Sequence, residues 1–207
     1  MTGGAQVLAI DYRGFGDSTE VSVREETLVE DGVAALTWLR RKVGAGAEIF
    51  VFAHSLGSAV AAGTLTKLSR EVGVVILMSP FNNFLAEVLW KFDQTSSPLQ
   101  YYLWAAVRAV TGTALPRYFL QQLGVEFNTD QHLLSSCHGP LLILHAEDDD
   151  KIPVELARKL VEDLKTGGKT DVSLHVYDKS YGYQHHDIYK AENLPALILD
   201  FTSKKLS

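Results

Sequence analysis

The sequence predicts an α/β fold in which helices cover both faces of a mostly parallel sheet. Short runs rich in Val and Ile alternate with longer segments of helical periodicity, and most of the runs are continuously apolar, as in strands buried on both faces. The chain has 207 residues, 46% of them hydrophobic. This is enough to bury a sizeable core, so we expect one domain over residues 1–207.

The apolar runs place the expected strands at Val7–Asp11, Ile49–Ala53, Val74–Met78, Leu141–His145 and Val172–Tyr177. After the first strand, Ser22–Glu25 resembles a capping box, and the helix that it opens ends at Gly44. Further helices are expected at about 56–71, 153–166 and 193–204. Residues 81–137 are rich in Trp and Tyr without a clear strand, which predicts a helical cap insertion.

Composition restricts the function classes. The net charge is −6, so the chain offers no basic face for a phosphate backbone and nucleic-acid binding is disfavoured. Cys137 is the single cysteine, which excludes an intrachain disulfide. A membrane span needs roughly 18 apolar residues and a signal peptide needs a charged start. The sequence has neither, and we expect a soluble chain.

The segment Ala53-His-Ser-Leu-Gly57 follows a predicted strand and precedes a predicted helix. A nucleophilic serine on such a tight turn favours small residues two positions to either side, the pattern Gly-x-Ser-x-Gly. Here Ala53 replaces the first glycine, a substitution that adds one methyl and is expected to strain the turn without abolishing it. In this arrangement the hydroxyl of Ser55 points off the sheet and the N–H of Leu56 faces a developing oxyanion. The alternative is a serine that only caps the helix.

A serine nucleophile needs a histidine base and a carboxylate that orients the base, here expected in the order Ser, Asp, His. Carboxylates follow the strand Leu141–His145, and Asp149 is favoured over Asp148 and Asp150 because it precedes Ile-Pro at the start of the next helix. After the strand Val172–Tyr177 come His185 and His186, of which one is the expected base. The other histidines, including His145, are expected to be structural or exposed, and His54 occupies the variable elbow position.

Cofactor and metal sites are not expected. The acids at 148–150 are consecutive, whereas a calcium loop alternates them. Adjacent His185 and His186 would make poor joint metal ligands on one helical face. Gly14 and Gly16 begin a dinucleotide fingerprint, but Thr19 stands where its third glycine belongs.

Several motifs together resemble the α/β-hydrolase domain-containing protein 12 group: Asp11–Ser18, His54–Gly57, Ser79–Asn83, Leu141–Asp149 and Gly182–Lys190. The resemblance implies an α/β-hydrolase fold and membrane lipases of the endoplasmic reticulum that act on lysophosphatidylserine and monoacylglycerols. It further implies Ser55 as nucleophile, Asp149 as orienting carboxylate and His185 as base, without a cofactor. A lipid ester is then the expected partner. The aromatic stretch from Trp90 to Phe119 would contact an acyl chain or a membrane surface, or else form the core of the cap.

The sequence departs from that group ahead of Val7. The family carries a membrane anchor, early strands and a His-Gly loop that donates the second oxyanion N–H, so we expect an N-terminally truncated chain whose missing third strand would lie between Val7–Asp11 and Ile49–Ala53. Losing one oxyanion donor costs roughly 2.7–4 kcal/mol of transition-state stabilisation. The expected function is lipid-ester hydrolysis. The alternatives are an acyl-thioesterase, a peptidase or a non-catalytic lipid-binding form.

Overall fold

The computed structural model describes residues 6–21, 23–83, 124 and 126–206. Most of the predicted cap insertion, including the stretch from Trp90 to Phe119, lies outside the described residues. Of the segment 81–137, the described part includes the helix Thr129–Ser136.

The described residues form a four-stranded parallel sheet with the strand order β1-β2-β3-β4. The strands are β1 (Phe50–His54), β2 (Val74–Met78), β3 (Leu141–Ala146) and β4 (Val172–Tyr177). The sequence prediction of these strands is confirmed to within one residue at each end. Every residue of β2 and β3 is buried, which explains why their sequences are continuously apolar rather than alternating.

Helices cover both faces of this sheet. They are α1 (Glu25–Val43), α2 (Leu56–Leu68), α3 (Thr129–Ser136), α4 (Val154–Thr166) and α5 (Leu194–Leu206). Val75 and Leu77 of β2 pack into the core shared with α1 to α4, whereas Ile76 and Met78 point to the opposite face, where α5 supplies Phe201. The alternation of side chains along each strand therefore fills two separate cores.

Helix α1 begins later than the sequence suggested. The residue that precedes its first turn is Arg24, whose N–H donates to Thr27 Oγ1 at 3.0 Å. The helix is capped at Arg24 and not at the predicted Ser22, which lies outside the described residues, and the hydroxyl of Thr27 satisfies the Arg24 N–H three residues into the helix. The predicted end is confirmed, since Gly44 follows the helix with a positive φ of 81°.

The predicted strand Val7–Asp11 is also wrong. Its described residues adopt no regular structure, and the side chain of Val7 is 88% exposed. Leu8 and Ile10 face Phe52 of β1 across an apolar cavity of about 180 Å³. The described sheet runs β1-β2-β3-β4 and does not include this segment, so it lacks the paired neighbour that a strand needs.

The turn after this segment is fastened to α1. The guanidinium of Arg13 contacts Asp31 at 2.6 Å through Nη2 and 2.8 Å through Nε, and the Arg13 N–H donates to the same carboxylate at 2.9 Å. Burial alone would raise the pKa of Asp31, but these three donors outweigh it and lower that pKa. Side-chain and backbone donors of one residue thus hold the glycine-rich turn in place.

Candidate active site

The side chains singled out in the sequence lie at the carboxyl ends of three parallel strands. Ser55 follows β1, Asp149 lies three residues beyond β3, and His185 lies in the loop after β4. The carboxyl ends of parallel strands share one edge of a sheet, so the topology brings together residues that are 36 and 130 positions apart in sequence. The site therefore exists only in the folded chain.

Ser55 occupies a strained turn between β1 and α2. Its φ of 54° and ψ of −124° lie in a region that residues with a side chain rarely adopt. The Ser55 N–H donates to the carbonyl of Met78 at 2.9 Å, which fixes the turn to β2. A backbone strained in this way at a strand-to-helix junction is what the nucleophile-elbow pattern predicts.

The small neighbours of the elbow are less constrained than the sequence pattern implies. A Cβ added to Gly57 would lie 4.0 Å from the Cβ of Ala53 and 4.0 Å from the hydroxyl oxygen of Tyr12. Both distances are ordinary van der Waals contacts. The methyl group of Ala53 is therefore accommodated, and the expected strain from the missing glycine does not arise at this contact.

His185 bridges the serine and the carboxylate. Its Nε2 lies 3.0 Å from Ser55 Oγ, and its Nδ1 lies 2.8 Å from Asp149 Oδ2 and 3.0 Å from Oδ1. A carboxylate only accepts hydrogen bonds when ionised, so Nδ1 carries the proton and the Nε2 lone pair faces the serine hydroxyl. His185 is buried, which holds the ring in this orientation.

Asp149 is held as a buried carboxylate by several donors. Its Oδ1 accepts from the backbone N–H groups of Lys151 at 2.9 Å and Ile152 at 2.8 Å. Burial by itself would raise the pKa of Asp149, but the hydrogen bonds from His145, His185 and these amides outweigh it and hold the pKa far below its usual range. The lowered pKa favours the ionised carboxylate.

His145 is a contact that sequence reasoning missed. The side chain is fully buried, and its Nε2 lies 2.8 Å from the carbonyl of Ile152 and 3.2 Å from Asp149 Oδ2. Both partners are acceptors, so Nε2 is the protonated nitrogen. The signal available in the sequence was a single polar residue inside the otherwise apolar strand β3, four positions before Asp149.

The neighbouring candidates have other contacts. Asp148 accepts the N–H of Gln184 at 3.2 Å, and Asp150 pairs with Lys151 at 2.9 Å. The ring of His186 is exposed and packs edge-on against His185. Among the acids and histidines that the sequence left open, Asp149 and His185 are the pair that meets Ser55.

The parallel sheet, its helical layers and the strained serine between β1 and α2 define an α/β-hydrolase fold. A family model described as "Hydrolase_4: Serine aminopeptidase, S33" matches residues 1–122. The chain belongs to this family of hydrolases.

Curated relatives extend the similarity over nearly the whole chain. The zebrafish (Danio rerio) protein named lysophosphatidylserine lipase ABHD12 is 31% identical over 96% of this chain and 50% of its own length. The human protein ABHD12B is 31% identical over 99% of this chain and 54% of its own length. The resemblance drawn from the sequence motifs is thus confirmed. The chain spans about half the length of the curated relatives it matches.

Solved structures agree on the fold. The Pyrococcus furiosus esterase Pf2001 aligns with a TM-score of 0.63 at 18% identity, over 95% of this chain and 69% of that one. A bromoperoxidase-like protein of Mycobacterium tuberculosis, BpoC, aligns with a TM-score of 0.56 at 15% identity, over 94% and 80% of the two chains. Of the helices that the structure describes, none combines the length and apolar character needed to cross a membrane.

Proposed function

We propose that the chain carries the catalytic centre of a serine hydrolase that cleaves lipid esters, with Ser55 as nucleophile, His185 as general base and acid, and Asp149 as the carboxylate that orients His185. The observation that supports this most strongly is the 3.0 Å separation of His185 Nε2 and Ser55 Oγ. A serine hydroxyl is a weak nucleophile at its own pKa, and a base at this distance removes that limitation.

In the first half of the reaction, Ser55 Oγ attacks the ester carbonyl carbon while its proton moves to His185 Nε2. The imidazolium that forms is stabilised by the negative charge of Asp149 at 2.8 Å. Collapse of the tetrahedral intermediate breaks the bond to the leaving alcohol, and the proton on Nε2 passes to the departing oxygen. The products of this step are the free alcohol and an acyl-Ser55 ester.

In the second half, water attacks the acyl carbon as His185 Nε2 accepts one of its protons. The second intermediate expels Ser55 Oγ, which takes that proton back. A carboxylic acid is released and the site returns to its starting state.

Leu56 is the oxyanion donor proposed within the described residues. It is the first residue of α2, so its N–H lacks a partner inside the helix and lies at the positive end of the helix dipole. A second donor is worth roughly 2.7–4 kcal/mol of transition-state stabilisation. Without such a second N–H, we expect the turnover number of this chain to be correspondingly lower.

The substrate class rests on relatives rather than on contacts. The zebrafish relative carries the name lysophosphatidylserine lipase. We therefore propose lysophospholipids and monoacylglycerols as substrates, acting at the endoplasmic-reticulum membrane in the full-length protein. The family description, which names a serine aminopeptidase, supports an N-terminal peptide bond as a second candidate.

A substrate panel separates the two candidates. Lysophosphatidylserine, a monoacylglycerol, p-nitrophenyl acetate and an aminoacyl p-nitroanilide are each incubated with the 207-residue chain and with a Ser55→Ala variant. The proposal predicts release of fatty acid from the two lipids and loss of that release in Ser55→Ala. Preference for the aminoacyl substrate would support the peptidase, and preference for the acetate would contradict lipid specificity.

Ser135→Ala is the matched control for this panel. Ser135 is an exposed serine of α3, and its hydroxyl donates to the carbonyl of His132. The variant should retain the full rate on every substrate that the parent chain cleaves. Equal losses in Ser55→Ala and Ser135→Ala would mean that the serine substitutions act through folding, which circular dichroism would reveal.

A further inference from the structure

Three histidines converge at the mouth of the candidate active site. One ring nitrogen from each of His54, His185 and His186 lies within 4.8 Å of the others. The ring centroids are 4.8 Å apart for His54 and His185 and 4.7 Å apart for His185 and His186. This arrangement extends the candidate active site with two residues, His54 and His186, that the proposed reaction does not use.

The two adjacent histidines can share a ligand because they do not lie on a helix. Residues 184–186 form a turn, and Gln184 has a φ of 49°. In a helix or a strand, neighbouring side chains point in different directions, which is why adjacent histidines seemed poor joint ligands. The turn removes that restriction and places the rings of His185 and His186 edge to face.

Two of the three rings already make the supporting hydrogen bond that metal-binding histidines make. Such a histidine usually donates its second ring N–H to a carboxylate or a backbone carbonyl, which fixes the ring and its tautomer. His185 does so through Nδ1 to Asp149 at 2.8 Å, and His54 does so through Nε2 to the carbonyl of His185 at 2.9 Å. In each ring the opposite nitrogen keeps its lone pair for a cation.

We propose that His54, His185 and His186 bind one zinc ion. Imidazole nitrogen suits zinc, and three histidine ligands with water in the fourth position form a common tetrahedral arrangement. The exposed ring of His186 leaves the site open to that water. The Asp149 carboxylate behind His185 offsets part of the charge of the ion.

Zinc at this position blocks the serine. The lone pair of His185 Nε2 faces Ser55 Oγ at 3.0 Å, and the same lone pair would ligate the metal. The nitrogen cannot bind zinc and accept the serine proton at the same time. The site is therefore inhibitory, a consequence that rests on the proposed function, whereas the binding itself does not.

Direct binding is measured on the Ser55→Ala form of the full chain by calorimetry with zinc chloride. This variant keeps the three rings, and we expect one zinc per chain. The further variant Ser55→Ala/His186→Ala should bind at least about tenfold more weakly, because losing a ligand costs more than losing the hydrogen-bond partner of a ligand. Ser55→Ala/His138→Ala is the matched control, since His138 is exposed and lies before β3, at the opposite edge of the sheet.

Inhibition is measured on the chain with Ser55 intact. The readout is the rate at which a fluorophosphonate labels the protein with and without zinc. The rate of each variant with zinc is compared with the rate of the same variant without zinc. Zinc should slow the labelling, a chelator should restore it, and His186→Ala should need at least about tenfold more zinc. Magnesium, which prefers oxygen ligands, should have no effect.

Unchanged zinc affinity in Ser55→Ala/His186→Ala, or an equal loss in the His138 control, would overturn the proposed site. So would a complete failure of Ser55→Ala to bind zinc. If Ser55 is not labelled at all, the proposed function fails, and the calorimetric result still decides the zinc site alone.

Discussion

His145 donates from Nε2 to Asp149 across a distance of 3.2 Å, and both side chains are shut off from solvent. The same nitrogen lies 2.8 Å from the carbonyl of Ile152, whose own N–H donates to Asp149 at 2.8 Å. Asp149 Oδ2 thus accepts from both histidines, since His185 Nδ1 lies 2.8 Å from the same oxygen. Together with the backbone N–H groups of Lys151 and Ile152, His145 limits the rotation of the carboxylate that orients His185.

Replacing His145 should reveal this positioning role. His145→Leu removes the donor and leaves the Ile152 carbonyl unpaired, which should lower the free energy of unfolding by about 1–3 kcal/mol. The fluorophosphonate labelling rate of the folded protein should fall about tenfold, which corresponds to about 1.4 kcal/mol in the barrier. His145→Gln keeps a donor and should recover part of the rate. His175→Leu, on the neighbouring strand β4, is the control, and an equal loss of rate there would contradict the role.

The ionised Asp149 should make the fold sensitive to acid. Its pKa is lowered in the folded chain, and an unfolded Asp titrates near about 3.9, so its contribution to stability is complete above that value. The contribution is lost as the pH falls below it toward the folded pKa. We expect the free energy of unfolding to decline between about pH 5 and pH 2, and Asp149→Asn to flatten that decline.

Urea titrations at several pH values check this. Asp148→Asn is the matched control, because Asp148 accepts one backbone N–H from Gln184 and lies next to Asp149 in sequence. It should keep the slope of the parent chain. An unchanged slope in Asp149→Asn would mean that the acid sensitivity arises elsewhere.

Arg13 should be needed for the turn that follows residue 11. Arg13→Ala removes the side-chain donors to Asp31 and should lower the urea midpoint, and Arg13→Lys should not restore it because an ammonium cannot reproduce the two-pronged contact. Glu30→Gln is the control, since Glu30 is more exposed than Asp31 and makes the longer contact with Arg13, at 3.2 Å. A midpoint for Arg13→Lys equal to that of the parent chain would show that charge alone holds the turn.

The open side of β1 should make the chain self-associate. Within the described residues β1 is an edge strand, and Phe50 and Phe52 on it are 44% and 49% exposed. Unpaired edges with exposed apolar side chains favour pairing with another chain. Light scattering should show a mass that rises with concentration, and Phe52→Glu should reduce the rise. Trp38→Glu, at a site 54% exposed on α1, should not reduce it. An equal reduction of the mass increase by both substitutions would mean that the association depends on exposed apolar surface in general and not on β1.

For two of the four confirmed strands, burial explains why the sequence predicted them. β2 and β3 are buried on both faces, and because both faces need apolar side chains, their sequences are continuous apolar runs. Val7–Asp11 carries the same kind of run, yet it is not a strand, because a strand also needs a hydrogen-bonding neighbour and this segment is not part of the described sheet. The apolar composition of a segment indicates that it can be buried, but it does not show whether a neighbouring strand is present to hydrogen bond with it.

The candidate site was partly predictable for a similar reason. The order of Ser55, Asp149 and His185 after successive strands was visible in the sequence, because parallel topology places strand ends together. The contacts of His145 and His54 with the site were not predicted. His145 contacts Asp149 and His54 contacts the carbonyl of His185, and both contacts depend on how the loops that carry Asp149 and His185 fold. The choice of His185 over His186 likewise depends on the turn at residues 184–186, whose direction the sequence does not state.

The most direct test of the central claim is the identity of the residue that a fluorophosphonate modifies. The folded 207-residue chain is labelled, digested and mapped by mass spectrometry, with Ser55→Ala and Ser135→Ala alongside. We expect one adduct, on Ser55, that is absent from Ser55→Ala and retained in Ser135→Ala. An adduct on another serine, or undiminished labelling of Ser55→Ala, would contradict the assignment of Ser55 as the nucleophile.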